Sequence, residues 1–88
     1  MKLIIAIIKD QDTDPVSRAL TKKGFRVTLT ASTGGFLRSG RSTLLIGVED
    51  DQVDTALDII RSYCKKPEKP DEKRATIFVI KVDKFTQL

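Results

Sequence analysis

The chain has no histidine, no asparagine and one cysteine, Cys64. Without histidine the commonest general base and most zinc-binding patterns are gone, leaving carboxylates, Lys and one thiol for acid–base work. The lone cysteine excludes an internal disulfide. Its place late in an amphipathic stretch suits a small buried hydrophobe better than a nucleophile or a metal ligand. Long apolar runs are missing too: "MKLIIAIIKD" is closed by Lys9 and Asp10, below the length of a secretory core and far below a span of about 20 residues. These absences predict a chain without catalytic residues, metal or membrane insertion, in a reducing, cytoplasmic setting.

What is present is short and basic. The 88 residues make one domain, 1–88, with a net charge of +4. A domain this small buries only about 60 to 65% of the surface its unfolded chain exposes, so its core alone leaves little stability to spare. The charge favours anionic partners in general.

Patterning supplies the elements. "KLIIAII" (2–8) is a continuous apolar run, as in a strand covered on both faces. In "DQDTDPVSRALTKKG", Asp12 or Asp14 is expected to cap a helix, Pro15 suits its first turn, Val16, Ala19 and Leu20 form the apolar stripe, and Gly24 ends it. "FRVTLTAS" alternates: Phe25, Val27, Leu29 and Ala31 are expected in the core, with Arg26, Thr28, Thr30 and Ser32 opposite. "TLLIGV" reads as a second doubly covered strand. "EDDQVDTALDIIRSYC" places acids at a helix start before the stripe Val53, Ala56, Leu57 and Ile60. The charged connection 65–74 contains two prolines and no apolar residue, and its lysines read as a solvating run. "ATIFVIKV" is a last strand, followed by a short tail.

The order βαββαβ, with right-handed crossovers, predicts a ferredoxin-like α+β fold: a four-stranded antiparallel sheet, both helices on one face, strands one and three central. The apolar residues of the central strands face both ways, yet the helices cover only one face. Self-association through the other face is therefore expected.

The loop 33–42 does not read as packing. It carries Phe36 and Leu37 among Gly, Ser and Thr, with Arg38 and Arg41 beside them. "GFLRSGRS" comes within one substitution of a phosphate-binding P-loop, with Arg41 in place of Lys, but a P-loop runs from strand into helix and here a strand follows.

"TGGFLRSG" after a strand with Arg26 and Thr28, then Gly47 within "GVEDDQVD", and "FTQL" at the end, resembles the PII-like family of cyclic di-AMP receptors over nearly the whole chain. The resemblance implies a ferredoxin-like homotrimer that binds a cyclic dinucleotide in each of three clefts between subunits and signals to a downstream protein. Its ligand contacts fall on Arg26, Thr28, Gly35, Phe36, Leu37, Gly47 and Gln87, and the family's usual Asn is replaced by Arg41. No cofactor beyond the ligand is implied. The chemistry agrees: Phe36 can stack on adenine, Leu37 can close over it, Arg26 can meet a phosphate, Gly47 leaves room, and the Gln87 amide can pair with a base edge. Arg41 can donate to ring nitrogens, stack, or engage phosphate. The connection 65–74 is also shorter than in several members of that family.

Three alternatives compete. An RNA-binding module of RRM-like topology would carry stacking aromatics on its third strand, and "STLLIGV" has none, so nucleic acid is not the expected partner. An acylphosphatase-like enzyme would need a phosphate-cradling loop after strand one, where this chain has the acidic "KDQDTD". A PII-like sensor of another nucleotide stays open.

Overall fold

The computed structural model describes residues 1–30, 40–69 and 71–88. Strand β1 (Lys2–Lys9) runs straight into helix α1 (Asp10–Lys22), followed by β2 (Arg26–Thr30), β3 (Arg41–Val48), a 3-10 turn (Asp50–Gln52), helix α2 (Val53–Tyr63) and β4 (Ala75–Lys81). The sheet order is β2-β3-β1-β4 and every pair is antiparallel. The fold is the expected ferredoxin-like α+β arrangement, with β1 and β3 central.

One set of alternating strand residues makes the core. Ile4, Ala6 and Ile8 of β1 and Leu44, Ile46 and Val48 of β3 are buried beneath Val16 and Leu20 of α1 and Ala56 and Ile60 of α2. Both helices thus share one face of the sheet, because only one parity of each strand is sealed. Phe25, Val27, Leu57 and Ile77 pack around this centre. Cys64 belongs to it at 5% exposure, and burial pushes its thiol up to about 11, as an inert core group requires.

Gly24 closes α1 as its sequence position indicates. At φ +99° its N–H donates to the Thr21 carbonyl (2.9 Å) and the Phe25 N–H to that of Leu20 (3.0 Å), the paired bonds of a left-handed helix end. The start of α1 corrects the reading from sequence. The helix begins at Asp10, so Asp12 lies in its first turn rather than capping it, and Pro15 sits inside. Asp12 is 3% exposed, and its Oδ1 accepts the Lys65 N–H at 3.1 Å, tying the exit of α2 to the entry of α1. Leu29 corrects another expectation: it shares the helix-facing parity but is 55% exposed, since β2 is an edge strand with a neighbour on one side only.

The described residues of the connection 65–74 are largely exposed, as expected, and two further contacts tie them to the fold. Lys9 pairs with Glu72, and Arg74 Nη1 donates to the Arg61 carbonyl at 3.1 Å.

Candidate functional site

The second parity of each strand builds the opposite, helix-free face. Strand register arranges it in three rows: Arg26–Gly47–Leu3–Ile80, Thr28–Leu45–Ile5–Phe78 and Thr30–Thr43–Ile7–Thr76. Along the first two rows the chemistry changes from polar at β2 to apolar at β4. Phe78 and Ile80 are about half exposed there, and Leu3, Ile5, Ile7 and Leu45 are only partly covered. On this face the two central strands carry Leu3, Ile5, Ile7, Thr43, Leu45 and Gly47 and no aromatic, so the paired aromatics of an RRM-like surface are absent among them.

At the Arg26 end of these rows lies a cleft of about 510 Å³. Its floor is Leu3, Leu45 and Gly47, and Arg26 and Thr28 line it from β2. The tail closes it. After β4 the Val82 N–H donates to the Met1 carbonyl (3.1 Å), and the chain continues so that Phe85 and Gln87 line the same cleft. Gly47 stands in a confined place: a Cβ there would come 3.3 Å from the end of the Met1 side chain. Arg26 brings positive charge, and no carboxylate is among the described residues that line the cleft. An ion pair between the Met1 ammonium and Asp50 (3.0 Å) lies alongside and holds the Asp50 carboxyl below its ordinary range, chiefly through that hydrogen bond.

Four residues singled out in the sequence, Arg26, Thr28, Gly47 and Gln87, therefore meet around one cavity. Gly35, Phe36 and Leu37 lie outside the described residues. Arg41 is elsewhere. Six positions before Gly47 on β3, or about 20 Å away at strand rise, it lines a second cleft of about 420 Å³ with Lys9, Asp10, Lys65 and Glu72. There a hydrogen bond from Lys9, reinforced by the charges of Lys9, Arg41 and Lys69, holds the Glu72 carboxyl below its ordinary range.

The sequence reading missed Leu3, Leu45 and Phe85. The first two were legible as the odd-numbered parity of their strands. Phe85 stands within "FTQL", two residues from Gln87, but nothing local shows that the tail returns across the end of the sheet.

An anion carrying flat apolar groups suits this arrangement: a cation for phosphate, a hydroxyl and an amide for polar edges, and an apolar floor with one ring. No helix among the described residues is long and apolar enough to cross a membrane, and among them no cluster of acids or thiols could hold a metal ion.

A model of the cyclic-di-AMP receptor family matches residues 1–71. That span includes Arg26, Thr28 and Gly47 and ends before β4 and the tail. Among solved structures, this chain is similar to a functionally unknown protein from Pediococcus pentosaceus ATCC 25745. The two are 34% identical, the match covers 99% of this chain and 96% of that one, and the TM-score is 0.78.

Proposed function

This chain belongs to the cyclic-di-AMP receptor family, and on that premise we propose that it is a cytoplasmic, non-enzymatic sensor whose cleft takes cyclic di-AMP between sister subunits. The observation that carries the reading is the gathering of Arg26, Thr28, Gly47 and Gln87 around one cavity without a lining carboxylate. A cyclic dinucleotide has two phosphodiesters and two bases. Arg26 supplies a cation for a phosphate. The floor of Leu3 and Leu45 and the ring of Phe85 supply surface for a base, and Gln87 an amide for its edge.

The cleft opens onto the half-exposed face on which Phe78 and Ile80 stand. A trimer formed through that face hides those side chains and brings a neighbour to the mouth of the cleft. Gly35, Phe36, Leu37 and Arg41 then act as the family resemblance implies, on a nucleotide shared between subunits. The ligand signals by binding the ordered form of the 33–42 loop better than other forms, so that a downstream protein meets a changed surface.

A thermal-unfolding panel tests the assignment, because a ligand that binds only the folded state raises the midpoint. Cyclic di-AMP is expected to raise it more than cyclic di-GMP, ATP or AMP at equal concentration. A larger shift with any of the other three reassigns the ligand.

A further inference from the structure

A groove on the helix side of the sheet, between α2 and β4, lies at the margin of the core and apart from the cleft. Leu57 and Ile60 of α2 and Ala75 and Ile77 of β4 form its floor, and its volume is about 450 Å³. Its rim is cationic: Arg61, Lys73 and Arg74, with no carboxylate among the described residues that line it. The bond from Arg74 to the Arg61 carbonyl fixes one guanidinium at the last turn of α2, where the helix ends in partial negative charge. Arg61 meets Asp58 at 3.3 Å, but that pair is highly exposed and leaves most of the guanidinium donors to other partners.

Strand β4 also ends the sheet, and among the described residues no strand pairs with its outer side. Edge strands are commonly blunted by proline, bulges, central charges or short length. β4 runs through Ala75–Lys81 with no proline, and its only charge is Lys81 at the very end. Register puts Ala75, Ile77 and Val79 on the helix side, opposite the face assigned above to self-association.

We propose that this groove and the outer edge of β4 receive an extended acidic segment of another protein. The segment adds a strand to β4, sets alternate apolar side chains over the partly covered Leu57 and Ile77, and meets Arg61, Lys73 and Arg74 with its carboxylates. The floor is wholly aliphatic and offers no ring for a base to stack on, which disfavours single-stranded nucleic acid. The surface uses no residue of the nucleotide cleft, so it stands whichever nucleotide that cleft takes.

The test is an anisotropy titration with a short labelled peptide of alternating Glu and Val, its Lys–Val counterpart and oligo-uridine, followed by amide-shift mapping. The acidic peptide alone is expected to bind saturably, shifting amides of Ala75–Lys81 and of α2 around Leu57 and Ile60. Combining Arg61→Glu with Arg74→Glu is expected to weaken it about tenfold or more, while the remaining amide spectrum stays that of the folded chain and cyclic di-AMP still binds. Several results would overturn the proposal: no acidic-peptide binding at millimolar concentration, equal binding of the Lys–Val peptide, or oligo-uridine on the same residues. So would loss of self-association in the double variant, which makes the occupant a second copy of this chain.

Discussion

Arg26 and Thr28 stand two residues apart on one parity of β2, both exposed on the helix-free face, where their polar groups line the cleft without supporting the core. Their truncation therefore separates binding from folding. Losing a charge-assisted bond costs about 1.5–3 kcal/mol and a neutral one about 1 kcal/mol. Arg26→Ala is expected to raise the Kd for cyclic di-AMP by about 10- to 100-fold and Thr28→Ala by about fivefold. Calorimetry on the two variants checks this, and loss of assembly or folding with either change would assign the residue to packing. At this scale the sequence was legible where an alternating pattern separates faces, as for Thr28 against Val27. It was misleading for Asp12, since an acid near a helix start reads equally as a cap or as a buried acceptor. Only the long-range approach of Lys65 distinguishes the two.

Elements were the most readable level, because the apolar parities of β1 and β3 and the stripes of α1 and α2 each record one buried surface. Gly24 shows how a single residue sets an element's end. A Cβ there would meet nothing within 4 Å, so the whole cost of a side chain is its left-handed backbone. Gly24→Ala is expected to lower the free energy of unfolding by about 1–2 kcal/mol in denaturant titration, with nucleotide affinity unchanged. An unchanged unfolding midpoint would mean that the turn has another conformation available. The tail was least readable at this level. Its return to the cleft depends on Val82 meeting Met1, a contact between opposite ends of the chain that no local pattern encodes. Arg41 is similar: its neighbours in sequence suggest the ligand loop, while its neighbours in space are Lys9, Asp10 and the connection 65–74.

For the whole molecule, a core of eleven buried apolar residues among those described is paired with a second sheet face left about half covered. Free energy from that face is available only through association, which fits the modest burial open to a single domain of this size. Sedimentation equilibrium is expected to give a trimer, and Phe78→Glu, which puts a charge in the middle of the apolar rows, is expected to dissociate it. A Phe78→Glu chain that still sediments as a trimer would move the interface elsewhere. Binding of a cyclic dinucleotide in the cleft of Arg26, Thr28, Gly47 and Gln87 is checked by calorimetric titration of the assembled protein with cyclic di-AMP. Saturable binding of one nucleotide per chain is expected, whereas no binding heat at high micromolar ligand would rule out the cleft as a site for this nucleotide.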